Sequence, residues 1–109
     1  MILTRRFAME LGSHGITVNA VAPGFVRTET LRGRGATDWQ ATEERFAARA
    51  MMGRVGEPQD VANAVVFLAS PQSGWITAQT LTVDGGAHLR RHARLRLSEQ
   101  NCSDAQTTG

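Results

Sequence analysis

The sequence predicts an α/β fold in which two parallel strands are separated by helices. Two β-branched runs, at 16–22 and 79–83, each end in a turn signal, Pro-Gly after the first and Asp-Gly-Gly after the second. A long apolar segment at 58–69 predicts a helix between them. Strands that alternate with helices favour a parallel pair with a right-handed crossover. Because two parallel strands alone cannot cover both faces and both edges, the pattern predicts part of a larger sheet.

The first segment, 1–11, predicts an amphipathic helix. The apolar residues Leu3, Phe7 and Leu11 recur every four residues. Arg5, Arg6 and Glu10 fall elsewhere around the helix. Gly12 follows as the expected stop. No capping residue precedes this pattern, so we expect the sequence to begin inside an element.

The middle of the sequence predicts a loop followed by a helix. Residues 25–36 contain two glycines and favour a loop. Thr37 is placed to cap a helix over 38–52, with Gln40 completing a capping box. One side of that helix would carry Trp39, Phe46 and Ala50.

The strongest helix signal is at 58–69. Pro58 suits the first helical position, Asp60 complements the positive end of the helix, and Pro71 lies just past its end. The segment is apolar nearly all round, which predicts a helix covered on more than one side. We expect Trp75 to pack at the junction between this helix and the second strand.

Composition limits the chemistry that the chain can perform. The 109 residues are 41% hydrophobic and 20% charged, which is typical of one small globular domain. All twelve basic residues are arginines and there is no tyrosine. The absence of lysine excludes a phosphate-loop nucleotidase and a Schiff-base enzyme, and the absence of tyrosine excludes a phenolic general acid.

Cysteine, histidine and hydropathy patterns add further expectations. A single cysteine, Cys102, excludes an internal disulfide framework and favours a reducing, cytoplasmic location. The three histidines lack ligand spacing, so no metal site is expected. The sequence has neither an apolar run long enough for a membrane span nor the pattern of a signal peptide.

The charge distribution divides the chain into a domain at 1–89 and a tail at 90–109. Eight of the twelve arginines and eight of the ten acidic residues lie in 1–86, so this part carries no net formal charge. The tail begins with a basic run and continues as a polar segment without periodicity, which predicts disorder. Its four arginines leave nucleic-acid binding through 90–96 as a weak alternative, because no aromatic side chains are interleaved with them.

Four blocks, in order, resemble the C-terminal part of a short-chain dehydrogenase/reductase. They begin with ELG…HGITVNAVAPG at 10–24 and VRTET at 26–30, and continue with GRVGEPQDVA at 53–62, which runs on to FLAS at 67–70, and WITAQTLTVDGG at 75–86. The branch similar to ketoacyl-carrier-protein reductases is the nearest. The resemblance implies the C-terminal portion of a Rossmann-type, doubly wound parallel sheet, about two strands and three helices, that binds NAD or NADP.

The resemblance also implies roles for individual residues. The loop at Pro23 and Gly24 would lie against the nicotinamide, and Gly24 would let the backbone approach the ring. Backbone atoms of Val26 and the hydroxyl of Thr28 would hold the carboxamide. The segment 30–52 corresponds to the family's mobile lid over a small carbonyl or alcohol substrate, with contacts from Trp39, Phe46 and Met51. These three side chains are alternatively core residues, and Asp84 is expected to form a turn.

The sequence departs from the family pattern in its catalytic groups. The glycine-rich phosphate loop, the catalytic serine and the Tyr-x-x-x-Lys pair have no counterpart in the 109 residues. Because carbonyl reduction needs a proton donor beside the hydride donor, we expect no turnover and no tight cofactor binding by this chain alone. The alternative function is an interaction module, a homo- or hetero-oligomer that docks on full-length reductase subunits through 58–69 and 79–83.

Overall fold

The computed structural model describes residues 2–29 and 36–89, without the side chains of 36–38. The predicted tail at 90–109 and part of the predicted loop and lid, 30–35, lie outside these residues. The elements, in chain order, are α1 (Ile2–Leu11), β1 (Ala20–Pro23), α2 (Ala36–Arg49), α3 (Pro58–Ala69) and β2 (Thr80–Val83). The predicted α/β class is confirmed.

The two strands form a parallel pair, as predicted. Ala20 of β1 lies opposite Thr80 of β2, and the register continues to Pro23 opposite Val83. Each strand is four residues long, so β1 is shorter than the run at 16–22.

The entry to β1 is joined to the chain before β2 by side-chain hydrogen bonds and by one backbone bond, from the N–H of Ala78 to the carbonyl of Val18 at 2.8 Å. The Asn19 side chain donates to the carbonyl of Ile76 at 3.0 Å and accepts from the N–H of Gln79 at 3.1 Å. The N–H of Val18 donates to the Thr77 hydroxyl at 3.0 Å. These bonds use the backbone groups that a longer strand would pair, which is why β1 begins only at residue 20.

The first helix ends at Leu11, next to Gly12, as predicted. The chain does not turn away at Gly12, however, because a 3-10 turn over Gly12–His14 follows. The left-handed residue is Gly15, with φ 72°, and its N–H donates to the carbonyl of Gly12. Gly15 therefore ends the helical segment, since a residue with a side chain is strained at that φ.

The second helix begins and ends earlier than the predicted 38–52. Thr37 lies inside α2, so it cannot cap the helix, and the predicted capping box with Gln40 is wrong. At the other end, the N–H of Met52 donates to the carbonyl of Gly85 at 3.1 Å. This bond draws the chain away from the helix axis towards the turn that follows β2.

The third helix has the predicted bounds, 58–69. Pro58 is its first residue, and the Asp60 carboxylate accepts the N–H of Glu57 at 2.8 Å, which satisfies a free donor at the helix start. The helix packs on β1 and β2. Its other side is open among the described residues, where Val66 is 67% exposed, so the expectation of cover on more than one side is not met.

Few side chains are buried in the part of the chain that the structure describes. The buried apolar ones are Ala8, Ala50 and Val55. Trp75 is fully exposed, so its predicted packing at the helix-to-strand junction is wrong. Ser73 closes that junction instead, because its hydroxyl is buried and lies 2.8 Å from the carbonyl of Leu68. None of the described helices is long and apolar enough to cross a bilayer.

Candidate functional site

The segment that follows β1 leaves two backbone groups of Val26 free. Val26 forms an isolated parallel bridge with Gly56, in which the N–H of Gly56 donates to the carbonyl of Phe25 at 2.9 Å. The N–H of Arg27 donates to the carbonyl of Gly56 at 2.8 Å. In this pattern the N–H and C=O of Val26 itself point to the opposite edge. Within the described residues neither group has a hydrogen-bond partner.

This free pair lies where α/β sheets bind ligands. It follows the carboxyl end of a parallel strand, the edge at which such sheets form their clefts. An adjacent N–H and C=O can pair with the acceptor and donor of a primary carboxamide. Pro23 and Thr28 lie on the same short segment, and both are exposed. The structure therefore places Pro23, Gly24, Val26 and Thr28 together.

Gly24 has a packing role within the chain. A Cβ atom at this position would lie 2.6 Å from the Cβ of Asp84 and 2.9 Å from its Cα, which is too close for any residue with a side chain. The N–H of Gly24 also donates to the carbonyl of Val83 at 3.0 Å. The glycine thus allows the end of β1 to lie directly against the turn after β2, a contact that the sequence did not indicate.

Two of the three predicted lid residues pack on this segment. The ring of Phe25 stacks on Phe46, with centroids 4.1 Å apart and planes 9° apart, and lies 6.1 Å from the ring of Trp39. The Arg49 guanidinium lies 5.6 Å from the centroid of Phe46. Stacking of this kind fixes one face of α2 on the residue next to Val26.

Met51 lies just beyond the end of α2. It is 49% exposed, and its Sδ lies 2.8 Å from the position of a Cβ added at Gly86. Met51 is therefore placed over the turn that follows β2.

An ion-pair cluster beside Val26 was missed by the sequence reasoning. The Arg27 guanidinium binds the carboxylate of Glu43 on α2, and it binds that of Glu57, before α3, at 2.5 Å. The pKa of Arg27 is raised, first because the guanidinium donates to Glu43 and further because both carboxylates attract its charge, against an opposing effect of desolvation. The partners are 16 and 30 residues away, so no local spacing in the sequence could have signalled them.

Two further carboxylates are held ionised nearby. The pKa of Asp60 is lowered, chiefly because Arg54 donates to it, and also because it accepts the N–H of Glu57. Burial acts to raise the pKa of Asp84, but hydrogen bonds from the ring and N–H of His88 and from the N–H of Gly86 outweigh this and lower it. The predicted turn role of Asp84 agrees with these contacts.

The side chains of Asp60 and Asp84 line the same cleft, which has a volume of about 180 Å³. Its lining includes Phe25, Met52, Arg54, Gly56, Asp60 and Asp84. Among residues 2–29 and 36–89, no group of three or more histidine, cysteine, aspartate or glutamate side chains is placed to hold a metal ion. The basic run at 90–96, the alternative nucleic-acid site, lies outside the described residues.

Comparison with known proteins shows what the chain is similar to. The profile of the family described as enoyl-(acyl carrier protein) reductase matches residues 1–88. The short-chain reductase protein NovJ of Streptomyces niveus is 46% identical over 86 residues, which cover 76% of this chain and 33% of that protein. The 3-oxoacyl-[acyl-carrier-protein] reductase FabG of Vibrio harveyi is 43% identical over 86 residues, covering 79% of this chain and 34% of the relative.

Solved structures give the same result. A small-chain dehydrogenase in complex with NADPH superposes with a TM-score of 0.70 and 38% identity, over 81% of this chain and 38% of that one. The NADPH-dependent reductase YwfH, involved in bacilysin biosynthesis, superposes with a TM-score of 0.68 and 32% identity, over 79% and 35% of the two chains. The chain spans about a third of the length of the curated relatives it matches.

Proposed function

The chain belongs to the short-chain dehydrogenase/reductase family, and from this premise we propose that it forms the nicotinamide side of an NAD(P)-dependent oxidoreductase site. Its strands and helices are the C-terminal portion of a Rossmann-type α/β fold. The reaction would be hydride transfer between the nicotinamide and a small carbonyl or alcohol. When bound, the nicotinamide supplies or accepts the hydride, and the residues of this chain hold and orient it.

The observation that carries this proposal is the free backbone pair of Val26. Its N–H and C=O form no hydrogen bond within the described residues. The segment is nevertheless held in place by the bridge between Val26 and Gly56. The two groups of Val26 would hold the carboxamide, with the exposed Thr28 hydroxyl beside them. Pro23 and Gly24 would bring the end of β1 against the ring. A pair fixed in advance binds without the cost of ordering a loop.

The helix α2 would form the substrate wall. Trp39 and Phe46 already present apolar surface beside the carboxamide-binding segment, where they stack around Phe25. Met51 would contribute from the far end, over the turn after β2. Apolar walls with few polar groups are typical of sites for small substrates, and they exclude water from a hydride transfer.

We also propose that the 109 residues alone do not complete the reaction. They contain no tyrosine or lysine to supply a proton to the carbonyl oxygen. They also lack a glycine-rich loop for the cofactor phosphates. Binding of NAD or NADP by this chain alone would consequently be weak.

A chimera tests the cofactor site in a setting that has the missing groups. The matching segment of the Vibrio harveyi reductase, 43% identical, is replaced by that of this chain, and oxidation of the parent's cofactor with a 3-oxoacyl substrate is measured. The chimera is expected to be active. Val26→Pro removes the free N–H and should raise the KM for cofactor roughly tenfold, because a buried hydrogen bond is lost. Val26→Ala, which keeps both backbone groups, is the matched control. A proline variant with unchanged affinity for cofactor contradicts the proposal.

A second candidate function is docking on a reductase subunit, and the exposed apolar surface of α3 favours it. Val65, Val66 and Phe67 are 49%, 67% and 41% exposed, and Leu81 of β2 is 39% exposed. Large apolar side chains exposed on neighbouring elements are typical of interaction sites. The chain would form homo- or hetero-oligomers through 58–69 and 79–83.

Light scattering after size exclusion, alone and with a full-length relative, tests the docking function. Val66→Glu should abolish association, because it places a charge at the most exposed of these apolar side chains. Gln40→Glu, at an exposed position on α2, is the control for added charge. A chain that stays monomeric with and without the relative counts against docking.

A further inference from the structure

We propose that Arg27 is a positioning residue that couples the packing of α2 to the placement of the Val26 backbone pair. The proposal rests on the function proposed for Val26, and it adds a residue for which that function gave no role. Arg27 does not need to touch the cofactor or the substrate in this arrangement. It acts through its neighbour in the chain.

The two neighbours of Val26 are both anchored to α2. Phe25 stacks on Phe46 at 4.1 Å, and the Arg27 guanidinium binds Glu43. Phe25 lies at a bend, and its ring and the Arg27 guanidinium both reach α2, one from each side of Val26. The helix therefore holds the residues before and after the free pair, and leaves the pair itself open.

Arg27 is also anchored on the side of α3. Its N–H donates to the carbonyl of Gly56 at 2.8 Å, and its guanidinium binds Glu57, the next residue, at 2.5 Å. The backbone and the side chain of Arg27 thus both bind the segment at Gly56 and Glu57. We name the three side chains Arg27, Glu43 and Glu57 the arginine clasp.

Two of the three side chains of the clasp are partly buried, whereas that of Glu57 is 44% exposed. The side chains of Arg27 and Glu43 are only 29% and 24% exposed, so water screens their attraction less than it screens a surface pair. A planar guanidinium has enough donors to bind two carboxylates at once, which a lysine cannot do with the same geometry. If either carboxylate is neutralised, Arg27 loses a partner that it needs in a partly desolvated place.

The clasp predicts a cross effect that two independent ion pairs would not produce. Neutralising Glu43, on α2, should loosen the Arg27 N–H that is bonded to Gly56. Neutralising Glu57, before α3, should loosen the packing of Trp39 on Phe25. Each change would be felt on the other side of Val26, because the guanidinium joins the two.

Two readouts in the full 109-residue chain separate these sides. Trp75→Phe removes the fully exposed tryptophan and leaves Trp39 as the only one, so its emission reports the docking of α2. Hydrogen exchange at the Arg27 amide, followed by NMR, reports the bridge to Gly56. Neither readout requires a cofactor, so failure here is distinct from failure of the proposed function.

The isosteric variants Glu43→Gln and Glu57→Gln are compared in that background with Glu44→Gln. Glu44 is the neighbour of Glu43 on α2, is exposed, and makes none of these contacts. Each clasp variant should shift Trp39 emission to the red and speed exchange at the Arg27 amide roughly tenfold, as expected for loss of a charge-assisted bond. Glu44→Gln should change neither. Arg27→Met should match the double variant Glu43→Gln/Glu57→Gln, and Arg27→Lys should restore part of both signals.

The outcomes that overturn the proposal are specific. One is a Glu43→Gln spectrum and exchange rate equal to those of Glu44→Gln. Another is that Glu43→Gln changes only the Trp39 emission and Glu57→Gln changes only the exchange rate of the Arg27 amide. That result would mean that the two ion pairs act independently. Circular dichroism checks helix content, and should Arg27→Met unfold, the two isosteric variants still decide between these results.

Discussion

The carboxyl edge of the sheet and the outer faces of α1 and α3 are held in different ways. At the carboxyl edge, the segments after β1, α2 and β2 meet through ion pairs, ring stacking and backbone bonds, and Ala50 and Val55 are buried there. On the outer faces, large apolar side chains lie in solvent, among them Ile2 at 86% and Val66 at 67% exposure.

The difference shows where this chain specifies its own structure. The carboxyl edge is fixed by directional contacts between residues of the chain, and these contacts surround the free pair of Val26. The outer faces have the composition of a core but no cover among the described residues. A carboxyl edge that is ordered by contacts within the chain, beside apolar faces that are exposed, is what the two proposed functions would require. Substitutions at the edge should therefore change the stability of the isolated chain, while substitutions on the outer faces should not.

The largest effect is expected at Gly24. Gly24→Ala places a Cβ atom 2.6 Å from that of Asp84 and 2.9 Å from its Cα, so the backbone itself must move. Overpacking of this kind costs about 1–3 kcal/mol. The measurement is the free energy of unfolding in urea. Gly12→Ala is the control, because no atom lies within 4 Å of its added Cβ, and equal losses for both variants would contradict the contact.

The next effect concerns Asp84 and depends on pH. Asp84→Asn removes charge-assisted bonds from the His88 ring and two N–H groups, and should cost about 1–2 kcal/mol near neutral pH. Because the pKa of Asp84 is lowered in the folded state, its contribution is complete above the ordinary aspartate value of about 3.9. That contribution is lost as the pH falls through the lowered folded pKa.

Thermal melts from pH 7 to pH 2 test the Asp84 prediction. The difference in melting temperature between the wild type and Asp84→Asn should be constant above about pH 5 and close as Asp84 becomes protonated. Asp104→Asn, which removes a carboxylate from the segment predicted to be a tail, is the control for a change in net charge. A difference that grows towards acid pH contradicts the assigned direction.

A smaller effect of opposite sign is expected at Ala78. Its φ of 60° lies in the left-handed region, where a Cβ atom is strained, and its N–H is held by the carbonyl of Val18 at 2.8 Å. Ala78→Gly should stabilise the chain by about 0.5–1 kcal/mol, since relief of strain exceeds the added entropy of the unfolded state. Ala64→Gly, within α3, should destabilise by a similar amount. The free energy of unfolding in urea compares the two variants. A loss of stability for Ala78→Gly would contradict the claim that the backbone of Ala78 is strained.

Local signals in the sequence predicted the elements well but not the contacts between them. Pro58 and Asp60 fixed the start of α3, because capping depends on adjacent residues. The shortened β1 depends on Asn19 bonding to Ile76, 57 residues away, and no local pattern contains that pairing. The same holds for Arg27 and its carboxylates. Val26 and Thr28 entered the proposed site only through the resemblance to a family, because a free backbone pair has no signature in side-chain types.

Substitution of Trp75 should have the smallest effect on stability. It also tests most directly the difference between the carboxyl edge of the sheet and the exposed outer faces of the helices. The side chain of Trp75 is fully exposed, so Trp75→Ser should change the free energy of unfolding by less than about 0.5 kcal/mol. Loss of a buried tryptophan costs about 3–5 kcal/mol, so the two cases are easily distinguished. The same substitution should weaken any association through α3 and β2, because exposed tryptophans at interfaces contribute strongly to binding. A large loss of stability in the monomer would mean that Trp75 packs within the chain, and that the outer face is not open as described.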